Sequence, residues 1–278
     1  MVNKESFSNL SDELTFHGNF NKNIDQPNIL LLLPRTRGPI GIKKFKDEIE
    51  KNFNLVEYDD VLSEKSKIFN QLEIISLKQK ALAINKALKK WKKIEYHIIC
   101  HSTGCGLGTF LAKANKKACK SLVFISPWNK KDKDFKSAQE KRVENAKRLD
   151  VISFLKGECD LLYSKNYLNK FHNQFCCYIL NQKNKKVNPS FIEKRLNSIL
   201  DCNLGNELRN LDIPKLIINT IDDKLMKIHH GKELHKICTN SKLISLKSGG
   251  HMLTETRAVD ICTYINSFIN SMEKLNEY

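Results

Sequence analysis

Apolar and polar positions along this chain alternate between two kinds of stretch. Residues 28–33 are almost continuously apolar, the pattern of a central parallel strand buried on both faces. Similar short runs at 55–58, 96–100, 121–125, 215–220 and 242–246 predict further strands. Helical patterns lie between them, at 42–52, about 69–93, 230–238 and 258–274. In the second of these, Leu77, Ala81, Ile84, Leu88 and Trp91 follow one another at steps of four, three, four and three, which mark one helical face. Lys78, Lys86, Lys89, Lys90 and Lys93 take up much of the remaining surface. The stretch 34–41, rich in Pro, Gly and Arg, predicts a loop.

The alternation breaks after Ser126-Pro127-Trp128. From Lys130 to about Gly205 the chain is polar and helical, with aromatic spots at Phe154, Tyr163, Tyr167, Phe171 and Phe175 and no strong strand signal. Alternating strands and helices imply a mostly parallel sheet covered on both faces, an α/β fold. The interruption predicts a helical cap, residues 127–205, inserted into a core formed by 1–126 and 206–278.

Composition narrows the function classes. The chain has 278 residues, enough to bury a large α/β core, and no run approaching the ~20 apolar residues of a membrane span. Its start lacks the apolar core of a secretory signal, and its nine cysteines form no zinc-like CxxC pairs. Reduced thiols and a cytoplasmic location are the expectation. The net charge of +16 comes from 40 Lys and only 7 Arg, spread over helices and loops. Arginine is the usual reader of phosphates and bases, so a solvated lysine surface is expected, with no nucleic-acid partner. His229, His230 and His235 lack partners at metal-ligand spacing; they are expected at the surface, with no metal and no cofactor.

The chemistry lies in His97-Ile98-Ile99-Cys100-His101-Ser102-Thr103-Gly104-Cys105-Gly106. An apolar strand turns sharply at a serine and enters a helix of small and apolar residues. A serine so placed projects its hydroxyl from the sheet edge, and the following N–H groups at the helix N-terminus can receive an oxyanion. The hydroxyl needs a base, and the base needs an orienting group. Two later strands end in candidates for these, Asp222-Asp223 and Gly249-Gly250-His251. Ligands bind beyond such strand ends in open α/β sheets.

On these residues the chain resembles the α/β-hydrolase superfamily: the elbow at 100–104, the strand opening at Pro214 and leading to Asp223, and Gly249-Gly250-His251. The likeness runs from about Asn28 onward. It implies Ser102 as nucleophile, His251 as general base and Asp223 as acid, with Asp222 the competing acid. It also implies an oxyanion hole formed by the N–H of Thr103 and a second donor from Thr36 or Arg35. Two positions depart from the family pattern. Cys100 replaces the first elbow glycine, and Pro34-Arg35-Thr36-Arg37-Gly38 occupies the slot of the usual His-Gly. Arg37, with Arg35, is a candidate for a substrate carboxylate or an exposed loop residue. Trp128 is expected either to wall the pocket or to pack at the cap hinge, and His101 to pack beneath the elbow.

The cap segment is similar to that of small-substrate members, the enol-lactone and the aminoacrylate or carbamate hydrolases, through Trp128, Arg-bearing helices and Leu162-Tyr163. The resemblance therefore implies a serine hydrolase, monomer or homodimer, acting on a small-molecule acyl substrate: an ester, lactone, thioester or carbamate. The alternatives are a non-hydrolytic member of the same fold, either a lyase or a ligand-binding pseudoenzyme, and a basic protein that binds nucleic acid or anionic lipid.

Overall fold

Each apolar run becomes a strand. The computed structural model describes residues 16–34, 38–58, 76–89, 91, 94–184 and 187–275. Within them lie β1 (Phe16–His17), β2 (Asn28–Leu32), β3 (Asn54–Tyr58), β4 (Tyr96–His101), β5 (Cys119–Ile125), β6 (Lys215–Thr220) and β7 (Ser241–Leu246). They form one sheet in the order β1-β3-β2-β4-β5-β6-β7. All neighbours are parallel except β1, which runs antiparallel to β3. The helices are α1 (Lys43–Glu50), α2 (Leu77–Leu88), α3 (Thr103–Ala114), α4 (Lys133–Arg148), α5 (Val151–Leu162), α6 (Lys165–Lys170), α7 (His172–Asn181), α8 (Pro189–Leu200), α9 (Leu204–Leu208), α10 (Ile228–Ile237), α11 (Leu253–Thr256) and α12 (Ala258–Leu275).

Successive strand residues point to opposite faces, and here both faces are buried. Leu30, Leu32, Ile98, Cys100, Leu122, Phe124 and Ile217 join one core with α2, α3 and the helices that follow β5. Ile29, Leu31, Ile99, Val123, Ile125, Leu216 and Ile218 join a second core with Phe45 and Ile49 of α1 and Ile261, Ile265 and Ile269 of α12. This two-sided covering explains why the strands read as continuous apolar runs rather than as alternating ones.

After β5 the chain leaves the sheet through α4–α9 and returns at β6, which pairs directly with β5 from Leu122↔Lys215 onward. Asp132, Asp150 and Asn188 cap α4, α5 and α8 by accepting backbone N–H groups of the first turns. Arg142 of α4 grips Glu158 of α5 through a buried two-point ion pair, Nε to Oε1 at 2.8 Å and Nη2 to Oε2 at 2.5 Å. The aromatic residues of this segment form a cluster, with Tyr163 edge-on to Phe175 at 4.9 Å and Tyr167 against Phe171 at 4.7 Å.

Trp128 stands at the root of the segment and is fully buried. Its indole N–H donates to the Cys202 carbonyl at 2.9 Å, tying the start of the segment to its end. Its ring lies near Phe135 and close over Gly106 of α3. These contacts give Trp128 a packing role. Among the described residues no helix is long and apolar enough to cross a membrane. All nine cysteines are free thiols.

Trp128→Ala should therefore lower stability by about 3–5 kcal/mol, the usual cost of truncating a buried aromatic. Denaturant titration measures it. A loss below about 1 kcal/mol would show that the root of the segment packs without this ring.

Candidate active site

Ser102 follows β4 and caps the start of α3 with φ 51° and ψ −121°, a conformation that L residues rarely adopt. Three contacts hold it there. Its N–H donates to the Ile125 carbonyl at 2.9 Å, and its own carbonyl accepts the Cys105 N–H at 2.8 Å. Gly104 lets α3 start hard against β2; a Cβ there would lie 2.0 Å from the Leu32 carbonyl oxygen. The departure at Cys100 is accommodated from the helix side. The Cys100 thiol faces the Val123 carbonyl at 3.1 Å and occupies space left by Gly108, where a Cβ would come within 2.9 Å of its sulfur. The glycine missing from the strand is thus matched by one in the helix.

His251 reaches the serine from the loop after β7. Its Nε2 lies 2.8 Å from Ser102 Oγ and its Nδ1 2.8 Å from Asp223 Oδ2. A carboxylate accepts, so Nδ1 carries the proton and Nε2 accepts the serine hydroxyl. Asp223 follows β6, and its other oxygen accepts the N–H groups of Leu225 at 2.9 Å and Met226 at 2.8 Å, which fix the carboxylate plane. All three side chains are buried. Asp222 does something else. Its two oxygens accept the N–H groups of Gly249 at 3.2 Å and Gly250 at 2.9 Å, clamping the turn that delivers His251. Both glycines have positive φ, and a Cβ on Gly250 would press on Leu162 and Ser164.

The histidine's own backbone is gripped from three sides. Its N–H donates to the Leu162 carbonyl at the end of α5, and its carbonyl accepts Ser126 Oγ at 3.0 Å and His101 Nε2 at 2.9 Å. His101 is fully buried, with Nδ1 beside Thr254 Oγ1 at 3.2 Å. Burial first, then the nearby His251, depress its pKa to about 3, so it stays neutral. Thr103 is the first residue of α3, where an amide has no intrahelical acceptor. Arg35, Thr36 and Arg37 lie outside the described residues.

The histidines after β6 need a correction. His230 is buried rather than at the surface, and His229 and His230 meet Asp132, which lies 97 residues before His229. Asp132 Oδ2 is 2.6 Å from His229 Nε2 and 3.4 Å from His230 Nε2, and candidate ligand atoms of the three lie within 4.8 Å of one another. The Asn129 N–H donates to His230 Nδ1, which puts the His230 proton on Nε2, toward the carboxylate. A metal ligand needs that nitrogen bare. The trio is better suited to hydrogen-bonding the start of α4 to α10. Asp132 lay beyond the reach of spacing arguments because only the fold brings it here. The Asp222 clamp and the Ser126 and Leu162 contacts to His251 likewise had no local signal.

A model of the α/β hydrolase fold family matches residues 81–258. A protein from Caulobacter sp. (strain K31) that bears the name carbamate hydrolase RutD is 21% identical over 160 residues. That alignment covers 58% of this chain and 60% of the relative, less than two thirds of its length. Among solved structures, MGS-M2, an α/β hydrolase enzyme from a Medee basin deep-sea metagenome library, superposes with a TM-score of 0.79 at 18% identity, covering 92% of this chain and 94% of its own. The enol-lactonase from Burkholderia xenovorans LB400 gives 0.76 at 13% identity, covering 92% and 96%.

Two predictions follow from the packing of the elbow. Gly108→Ala should cost about 1–3 kcal/mol by overpacking, which outweighs the ~1 kcal/mol gained in helix propensity. With Cys100→Gly also present the cost should shrink by at least ~0.5 kcal/mol in a double-mutant cycle; strict additivity would refute the matched fit. The second concerns acid. His101 has a folded pKa below its unfolded one, so between pH about 6.5 and about 3 the unfolded chain binds the extra proton and stability falls as pH falls. The slope from this residue should approach ~1.4 kcal/mol per pH unit. His101→Gln should flatten the stability–pH curve in that window, and an unchanged curve would contradict the assignment.

Proposed function

The chain belongs to the α/β hydrolase fold family, and on that footing we propose that it is a serine hydrolase that cleaves a small ester, lactone, thioester or carbamate through an acyl-enzyme. The observation that carries this reading is the unbroken chain Ser102–His251–Asp223, with 2.8 Å at both joints. Ser102 Oγ attacks the carbonyl carbon while its proton passes to His251 Nε2. Asp223 holds the imidazole in the accepting tautomer and stabilises the imidazolium. The negative charge that develops on the carbonyl oxygen is received by the Thr103 N–H and by a second N–H from Arg35 or Thr36. Collapse of the intermediate expels the leaving group, which takes the proton from His251. Water then attacks the acyl-enzyme with His251 as base, and the acid is released with Ser102 restored.

The helical segment 127–205 acts as the cap that sizes the substrate. The low exposure of Ser102, 7%, supports a small acyl group. The names of the Caulobacter relative and of the Burkholderia structure point the same way, toward carbamates and lactones. Arg37 is the candidate partner for a substrate carboxylate. A panel of short acyl esters, lactones, thioesters and carbamates tests the class, and hydrolysis of none would overturn it.

Ser102→Ala and His251→Ala should each reduce kcat by on the order of 10³-fold or more with native far-UV circular dichroism, and the double variant should be scarcely worse, since the members act as a unit. Asp223→Asn should lower kcat far more than Asp222→Asn, which still keeps one oxygen on the glycine turn. Substantial turnover by Ser102→Ala, or the reverse order of the two aspartates, would refute the assignment.

A further inference from the structure

Each backbone polar group of the turn Gly249-Gly250-His251 is taken by a group outside the turn. Asp222 holds the first two N–H groups and the Leu162 carbonyl the third. Thr256 Oγ1 donates to the Gly249 carbonyl at 2.7 Å, and Thr220 Oγ1 donates to the Gly250 carbonyl at 3.0 Å. The His251 carbonyl receives three donors: Ser126 Oγ at 3.0 Å, His101 Nε2 at 2.9 Å and the Leu253 N–H at 3.1 Å. A carbonyl oxygen has two lone pairs, so this one is provided for beyond what satisfying it requires.

Each of the two side-chain donors belongs to a strand end that also holds Ser102. Ile125 closes β5 and accepts the Ser102 N–H at 2.9 Å; the next residue, Ser126, donates to His251. His101 closes β4 and leads directly into Ser102, and its ring lies 5.5 Å from that of His251, centroid to centroid. Both donors are fully buried. In the neutral His101 ring, donation from Nε2 leaves Nδ1 bare, and Thr254 Oγ1 lies 3.2 Å from it as the matching donor. Ser102 and His251 are thus referred to the same two strand ends, 101–102 and 125–126. A shift of His251 by ~1 Å would break its contact with Ser102 Oγ, and misplacement on that scale can cost on the order of 10²-fold in rate.

We propose that Ser126 and His101 are positioning residues for His251: their donations to its carbonyl fix the distance of the imidazole from Ser102. The inference rests on the serine-hydrolase reading. It separates from that reading because labelling of the wild-type protein tests the one and labelling of variants tests the other. It separates as well from a purely structural role. Without the Ser126 hydroxyl the His251 carbonyl keeps two donors, so a role in satisfying that carbonyl calls for no change in rate at Ser102.

The test uses Ser126→Ala, which removes only the hydroxyl, and a pair at His101. His101→Gln keeps an amide N–H as donor, and His101→Leu has similar bulk and none. The rate of Ser102 phosphonylation by a small fluorophosphonate is measured together with Tm and with kcat and KM for p-nitrophenyl acetate. Ser126→Ala should lose about five- to twentyfold in labelling rate and kcat, and His101→Leu about ten- to a hundredfold, both with KM within about threefold. His101→Gln should stay within about threefold of wild type, and the Tm of Ser126→Ala within about 4 °C. A Ser126→Ala protein that labels at the wild-type rate overturns the proposal, whatever the His101 variants do. So does a loss of rate that comes with a much larger fall in Tm, which would assign Ser126 to stability, and so does a Gln variant as impaired as Leu. Absence of labelling in the wild-type protein overturns the serine-hydrolase reading and this inference with it.

Discussion

The positive φ of Ser102 is the constraint around which the rest of the molecule is arranged. A side chain in that region of backbone space costs about 1–3 kcal/mol and persists only where its surroundings over-determine it. Here β4 and β5 supply one hydrogen bond, α3 another, and Gly104 the close approach to β2. Ser126, at the end of the neighbouring strand β5, also has positive φ, 48°, with its N–H on the Ile218 carbonyl. Two adjacent strands therefore end in the same kind of turn, and both turns serve His251. Ser126 Oγ and the ring of His101, the residue before Ser102, donate to its carbonyl. His251 is thus registered against Ser102 through backbone contacts as well as through its ring.

Parallel topology explains why this is possible in one place. The strands β2, β4, β5, β6 and β7 all end at the same side of the sheet, so the elbow, Asp223 and His251 gather there. The helices between β5 and β6 then close over it, with Leu162 and Tyr163 touching the histidine turn and Gly38. Charge plays a small part in this organisation. Ion pairs such as Lys43–Asp47 and Arg148–Glu144 are exposed, and pairs of that kind contribute little. The excess of lysine is a property of the surface.

Much of this was legible in the sequence because its signals are local. The strands are apolar runs buried on both faces, and the helix at Leu77–Leu88 follows its four-three spacing. The elbow and Gly249-Gly250-His251 are short motifs whose geometry follows from a tight turn. What escaped was set by distance along the chain or by extreme shortness. Strand β1 is two residues, too few for any period. Asp132 and Glu255 look like ordinary polar helix residues until the fold brings them to His230 and Gly38. Asp222 and Asp223 are neighbours of one type, and only the three-dimensional turn separates the clamp from the partner of His251. Trp128 was open between wall and packing because both roles call for a large ring; its hydrogen bond to Cys202 shows which contacts it makes.

The central claim is that burial and hydrogen bonding make Ser102 a nucleophile. Treating the native protein with a small fluorophosphonate, then measuring intact mass and mapping the modified peptide, tests it most directly. The account predicts one adduct per chain, on Ser102, lost when the protein is unfolded before treatment. No adduct, or modification of an exposed group such as Cys177 with Ser102 untouched, would contradict it.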